Sequence, residues 1–243
     1  RDFHDKDARA VLKPALATLA KAGLQASGRH RVGSPGATVA AAAADADLVV
    51  MGSHGHSSFK GLLFGSVTNA VLSGCRTPLL VMRGARSPVR DSLTVGIALD
   101  GSGYGLAAVR YVVRQRALFG AEPVLHLIHV VPDLFGIVIP GLGDAPAPLY
   151  RPEQVLASQD QAFDKALAPA RKLLDKAQLG YKEVRLTGNT VGDEIATYAT
   201  RRKLDLLVMG SHGHGLLKSA VLGSVATRVA ARCRTPLLLI RET

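Results

Sequence analysis

A loop rich in glycine and serine follows an apolar run late in the sequence, and its residues could bind phosphate. Gly210 and Gly213 come directly after the run LDLLVM, and Gly223 and Ser224 complete the pattern G-x2-G-x9-G-S. Glycine lets a backbone approach a ligand closely and turn its N–H groups inward as an anion-binding nest. Gly223 and Ser224 also precede a predicted helix, whose first N–H groups favour phosphate. The spacing therefore predicts a polyphosphate cradle, in which the Ser224 hydroxyl could donate to phosphate or merely cap its own helix.

The same loop occurs earlier in the chain, within an internal repeat. Residues 49–83 align without gaps on residues 207–241, and more than half of the aligned positions are identical, including GSHGH, GSV and CRTPLL. Self-similarity of this kind indicates two copies of one structural unit. The first copy offers a second candidate cradle with the same spacing: Gly52, Gly55, Gly65 and Ser66.

The two copies are unequally complete. We predict a first domain over residues 1–84, a polar linker over 85–91 and a complete second domain over 92–243. The first domain has no counterpart of residues 93–158, so it lacks its first two strands and first helix, which would lie between its third and fourth strands. Because a sheet without its central strands cannot pair its backbone, we expect the natural chain to begin upstream of Arg1.

Apolar runs alternate with helical patterns along the second copy. The predicted strands cover 93–99, 123–131, 182–187, 204–209 and 236–240, and the predicted helices cover 105–119, 153–179, 191–203 and 224–231. This alternation is typical of an α/β fold with a parallel five-stranded sheet and helices on both faces. Right-handed crossovers favour the strand order 3-2-1-4-5. A ligand crevice then opens beyond strands one and four, where Asp100 and the glycine loop meet. Pro169 should kink or split its helix.

Several motifs together resemble the universal stress protein family in its tandem-domain form. They are ALDGS at 98–102, IHVV at 128–131, VMGSHGH with the glycine pattern, and CRTPLLLIR at 233–241. The resemblance covers residues 92–243 and the later part of the first copy. It implies a Rossmann-like sheet in each repeat and, for members with this glycine pattern, ATP in the crevice.

The resemblance also implies roles for individual residues. Asp100 would contact the nucleoside, and Val130 would meet the adenine through its backbone. The phosphates would be held or flanked by the loop residues Gly210, Ser211, His212, Gly213, Gly223 and Ser224. The expected ligand is ATP, ADP or AMP, with Mg²⁺ as a possible companion. The first copy has no counterpart of Asp100 or Val130.

Two H-x-H pairs admit a second chemistry, because imidazoles at this spacing can share a metal ion. The pairs are His54 with His56 and His212 with His214. No carboxylate or cysteine stands close by in sequence, and the same loop must serve phosphate, so we expect no metal site. Cys75 and Cys233 could form a redox pair, although packing near a helix end is the favoured interpretation.

An enzymatic use of the crevice is the main alternative function. Asp100 could act as a general base toward bound water, and Lys60 or Lys218 could reach phosphate, although solvated lysines are the simpler interpretation. A P-loop signature GxxxxGK[ST] is absent from the sequence. We therefore expect little or no hydrolysis, with no catalytic residue assigned; a slow ATPase or nucleotidyl-transfer enzyme is the alternative.

The net charge of +11 comes from 30 Lys and Arg against 19 Asp and Glu. The basic residues are spread along the chain, with the densest run at 201–203, and few aromatics are available to stack on bases, so a nucleic-acid partner is disfavoured. No apolar stretch reaches the ~20 residues of a membrane helix, and no secretory signal or disulfide framework is visible. We expect a cytoplasmic protein.

The sequence thus predicts an ATP-binding regulatory module of the stress response. Its protein partner is unknown. The strands PLLVM and PLLLI that close the two copies would lie at sheet edges, where exposed apolar strands tend to pair. We expect self-association through them, as a dimer or as a pseudo-dimer of the two copies.

Overall fold

The structure is a computed structural model that describes residues 2–53, 64–83, 91–134, 152–213 and 222–241. In this part of the chain, seven strands form one mostly parallel sheet, and helices cover both of its faces with separate buried clusters. The α/β class is therefore confirmed. Within these residues, no helix combines the length and the apolar character needed to cross a membrane.

The regular elements have the following bounds. The strands are β1 (Val49–Gly52), β2 (Leu79–Met82), β3 (Thr94–Ala98), β4 (Val124–Val131), β5 (Tyr181–Thr187), β6 (Leu206–Gly210) and β7 (Leu237–Ile240). The helices are α1 (Asp2–Lys21), α2 (Pro35–Ala42), α3 (Ser66–Gly74), α4 (Gly103–Arg114), α5 (Pro152–Lys176), α6 (Val191–Arg201) and α7 (Ser224–Arg232). A short 3₁₀ helix spans Arg116–Phe119.

The strand order is β1-β2-β7-β6-β3-β4-β5. Strands β1 and β2 belong to the first copy and the other five to the second, with β3 between β4 and β6. Neighbouring strands are parallel except for β2 and β7, which are antiparallel. The prediction of a five-stranded sheet of order 3-2-1-4-5 is wrong for the sheet as formed, because the last strands of the two copies pair and extend it to seven strands.

Two local features concern the first copy and α5. Residues 24–32, which include the counterpart of strand residues 182–187 in the second copy, form no strand. Leu24 and Val32 remain 58% and 84% exposed. Pro169 does not split its helix, because α5 runs through it and Ala170 and Leu174 are buried against the sheet, which offsets the lost hydrogen bond.

The β2–β7 pair relates the two copies by a local twofold axis. Leu79 lies opposite Leu239 and Leu80 opposite Leu238, so equivalent residues of the repeat exchange places across the pair. Each strand also has a parallel neighbour on its other side, β1 for β2 and β6 for β7. The two strands expected at sheet edges are therefore interior strands, paired within one chain.

A reciprocal pair of arginines reinforces this junction. The Arg83 guanidinium donates to the carbonyl of Ala230 at the end of α7, and Arg241, its repeat equivalent, donates to the carbonyl of Leu72 near the end of α3. Each cation thus lies at the carboxyl end of the other copy's helix, where the helix dipole favours positive charge. Burial lowers the pKa of both guanidinium groups from their usual value. We name this pair the arginine clasp.

Removing either half of the clasp should destabilise the fold. We expect Arg83→Met or Arg241→Met to lower the free energy of unfolding by about 1 kcal/mol, because a charged hydrogen bond to a helix end is lost while burial of a charge is relieved. Urea unfolding measures the change. Arg110→Met on exposed α4 surface is the matched control, and equal stability of clasp and control variants would contradict the role of the clasp.

Candidate functional site

A crevice opens at the carboxyl ends of β3 and β6, which are neighbours in the sheet with Ala98 beside Met209. It encloses a cavity of about 350 Å³, within the range of small-molecule sites in proteins. Its walls come from the turns after β3 and β6, from β4, and from the first turns of α6 and α7. This is the place where sequence reasoning expected a ligand.

The turn after β3 orients the carboxylate of Asp100. Gly101 has a φ of 80°, a conformation that favours glycine, and it reverses the chain so that the Ser102 N–H donates to Asp100 Oδ1 at 2.9 Å. Ser102 then caps α4, with its hydroxyl accepting from the Gly105 N–H at 3.1 Å. The carboxylate is exposed at the crevice and held by the start of α4.

The turn after β6 meets that carboxylate directly. A Cβ atom built on Gly213 would lie 2.4 Å from Asp100 Oδ2, far inside van der Waals contact, so only glycine allows this approach. The turn is anchored at both ends, since the Ser211 N–H donates to Ile240 at 2.8 Å and the Gly223 N–H donates to Ser211 at 2.8 Å. The structure thus brings together Asp100, the Gly210–Gly213 turn and the start of α7.

The start of α7 is open to a ligand. Gly223 is the N-cap residue, with φ −65° and ψ 160°, and no side-chain hydrogen bond caps this helix in the described structure. Ser224 is the first helical residue and is exposed. Because the N-cap residue is Gly223, Ser224 does not cap the helix. Ser224 instead lines the cavity.

Apolar side chains also line the crevice. Val130 on β4 is 8% exposed and Ile195 on α6 is 3% exposed; both line the cavity, together with Val191, Met209 and Val225. Sequence reasoning named Val130 but missed the other four. Val191 and Ile195 are four residues apart on one face of α6, which is the signal that could have identified them.

His212 is positioned beside the turn by local contacts. Its Nδ1 lies 3.0 Å from Ser211 Oγ, and its ring centroid lies 5.5 Å from that of Tyr104, whose side chain packs against Gly210. Across the described ranges, no group of three or more His, Cys, Asp or Glu residues could hold a metal ion. The other predicted histidines, His54, His56 and His214, lie outside those ranges.

The first copy repeats the geometry at the start of the following helix. Gly65 has φ −62° and ψ 160°, close to the values of Gly223, and its N–H donates to Ser53 at 2.8 Å. Gly52 ends β1 and Ser66 begins α3. Gly55 and both candidate lysines, Lys60 and Lys218, lie outside the described residues.

The cysteines lie in the core. Cys75 and Cys233 follow α3 and α7 and are 6% and 2% exposed. Both are free thiols packed in the cluster that the two copies share.

Comparison with known proteins agrees with the repeat. The model of the Universal stress protein family matches residues 2–83 and 93–241. A universal stress protein of Mycolicibacterium smegmatis is 27% identical over 222 residues, covering 90% of this chain and 70% of that protein. One from Mycobacterium tuberculosis strain H37Rv is 28% identical over 203 residues, covering 82% and 63%. The chain therefore spans roughly two thirds of the length of these relatives.

A solved structure shows the same fold. The universal stress protein from Archaeoglobus fulgidus DSM 4304 superposes with a TM-score of 0.68 at 23% identity, covering 99% of this chain and 78% of that chain. The family match extends over most of both copies. This chain belongs to the universal stress protein family.

Proposed function

We propose that this protein binds an adenine nucleotide, ATP in the first instance, in the crevice of its second copy, and that it acts as a regulatory module rather than a fast enzyme. The observation that carries the proposal is the contact of Gly213 with the Asp100 carboxylate beside the uncapped start of α7. The same cavity is also lined by apolar side chains, Val130 and Ile195 among them, so it offers both kinds of surface that a nucleotide requires.

Each part of the nucleotide has a matching surface. The phosphates would lie against the Gly210–Gly213 turn and the start of α7 at Ser224, where the helix dipole favours anions, while the N–H groups of Ser211 and Gly223 keep their backbone partners. Asp100 would accept from a ribose hydroxyl. Val130 and Ile195 would cover the base, since apolar side chains favour a stacked or buried aromatic ring.

The regulatory role would follow from the position of the ligand between two elements. Occupancy would tie the turn after β6 to α7 and so favour one arrangement of the surface around the crevice. We propose that a protein partner in the cytoplasm reads this arrangement.

Thermal unfolding with ATP tests the proposal. At a ligand concentration of 100 times Kd, binding to the native state alone adds about 2.7 kcal/mol, so we expect a Tm that rises with ATP and Mg²⁺. Mass spectrometry of untreated protein should find the resident nucleotide. An unchanged Tm at millimolar ATP would contradict nucleotide binding, and rapid phosphate release that is lost in Asp100→Ala would favour the enzymatic alternative.

We expect Asp100 to contribute to binding of the nucleoside but not to binding of the phosphates. We expect Asp100→Ala to weaken ATP binding about tenfold, the cost of a charge-assisted hydrogen bond, and to leave binding of inorganic tripolyphosphate unchanged or stronger, because a negative charge is removed. Calorimetric titration of both ligands checks this. Equal losses for ATP and tripolyphosphate would show that Asp100 only supports the turn.

A further inference from the structure

A second and larger hollow lies at the far edge of the sheet, between β5 and the last turns of α6. It encloses about 710 Å³. It is distinct from the crevice, whose α6 wall is Val191 and Ile195 at the start of that helix. The proposed function does not use it. We name it the β5 groove.

One end of the β5 groove is basic. Lys182 on β5 and Arg201 and Arg202 at the end of α6 line it and are exposed, and they include the densest basic run of the sequence. The chain turns directly after these arginines: Lys203 has a left-handed φ of 51°, and the Leu204 N–H donates to the Ala199 carbonyl at 2.9 Å. Cations at the carboxyl end of a helix also stabilise that helix, but this does not account for Lys182 on the facing strand.

The positive charges lie near a hydrogen-bonded pair of side chains, of which His126 is buried and Tyr198 is half-buried. The Tyr198 hydroxyl lies 2.9 Å from Nδ1 of His126, whose side chain is buried in the groove floor. The Arg202 guanidinium lies 5.9 Å from the Tyr198 ring centroid. Burial, followed by the charges of Lys182 and Arg202, lowers the pKa of His126.

The acidic groups of the groove are turned away from this end. Glu183 accepts two hydrogen bonds from Arg171, at 2.6 and 2.8 Å. Glu194 lies at the other end, where a Cβ on Gly188 would be 2.7 Å from its Oε1. Half-buried Val184 and Leu186 form the floor in between. Arg185 also borders the groove, but its guanidinium donates to Asp160 and Gln159. The groove thus has Lys182, Arg201 and Arg202 at one end, apolar side chains in its floor and Glu194 at the other end.

We propose that the β5 groove binds a small phosphorylated organic molecule, with its phosphate between Lys182 and Arg202 and its apolar body on Val184 and Leu186. The distance along β5 from Lys182 to Leu186 is about 13 Å at the usual rise per residue, which limits the ligand to the size of a small metabolite. A nucleic-acid strand or an acidic peptide fits less well, since Glu194 would repel a continued run of negative charge.

Titration of the full chain with phenyl phosphate, in the absence of ATP, tests the proposal, and the paired variants below separate binding in the groove from binding in the crevice. We expect binding by calorimetry and a shift of the His126 ring resonances by NMR, because a phosphate brought near His126 raises its pKa. Phenol, which has no phosphate, should not produce either effect.

Two charge-matched variants decide the assignment. Lys182→Gln with Arg202→Gln should weaken binding about tenfold or more, whereas Arg110→Gln with Lys172→Gln, exposed positions on other helices, should not. Equal affinities of the two double variants, or no His126 shift, would overturn the proposal. So would a polyglutamate peptide or an oligonucleotide that binds the groove more tightly than phenyl phosphate. These outcomes do not depend on whether ATP binds the crevice, because the variants compare the groove alone.

Discussion

Gly213→Val is expected to weaken ATP binding at least about 100-fold while leaving the fold intact. The added Cβ would fall 2.4 Å from Asp100 Oδ2, so either the carboxylate or the turn must move. Moving the carboxylate removes its contact with the nucleoside, and moving the turn redirects its N–H groups away from the phosphates; a loss of about 3 kcal/mol corresponds to the expected change in Kd. The residue lies in a loop, outside the strands and helices, so unfolding should be little affected.

Gly103→Ala is the matched control for this experiment. Gly103 begins α4 beside the same crevice, and a Cβ built there meets nothing within 4 Å. Calorimetry with ATP and circular dichroism should therefore show native binding and native structure. If Gly213→Val loses less than threefold in affinity, the contact between the two turns is not part of the nucleotide site. Gly223→Ala, whose Cβ would lie 3.2 Å from His212 Cα, is a milder second test of the same cradle.

Leu238→Asp should lower the free energy of unfolding by at least about 4 kcal/mol. Leu238 is 2% exposed and lies opposite Leu80 across the junction of the two copies and beside Val208 on β6. The substitution removes a buried apolar side chain and places a carboxylate in the same position, and both changes are unfavourable. Since whole domains are stable by only about 5–15 kcal/mol, the effect should be visible as a large shift in the urea midpoint.

The consequence should extend to the crevice. Ile240, in the same strand, accepts the Ser211 N–H at 2.8 Å, so a displaced β7 releases one anchor of the turn after β6. Leu118→Asp, at a position 50% exposed, is the control for adding a carboxylate and should change the midpoint little. A native midpoint for Leu238→Asp would mean that the β2–β7 pairing does not hold the two copies together.

Local chemistry made the crevice predictable. Glycine spacing, the turn residues Asp100-Gly101-Ser102 and the apolar runs before them are properties of short segments, and parallel strands bring their carboxyl ends to one edge. The approach of Gly213 to Asp100 follows from that arrangement. The sequence leaves two roles open for Ser224, helix capping and phosphate binding, because the N-cap and the first helical position differ by a single residue.

Other parts of the structure depend on contacts between distant segments. The sequence predicts that the strands PLLVM and PLLLI pair, but it leaves open whether they do so within one chain or between chains, and the antiparallel register within one chain is known only from the structure. The wall formed by Val191 and Ile195 depends on which face α6 turns toward β4. Pro169 remains inside α5 because burial of neighbouring residues outweighs a local preference, as tertiary packing often does.

The repeat, the α/β class, the family and the meeting of the glycine turn with Asp100 can be predicted from the sequence, because they are encoded in local patterns of residue type. The antiparallel register that makes one seven-stranded sheet, the arginine clasp and the basic end of the β5 groove are visible only in the folded chain. Strand pairing and helix packing depend on contacts between segments far apart in the chain. The periodicity within one segment does not specify the register in which it meets another segment.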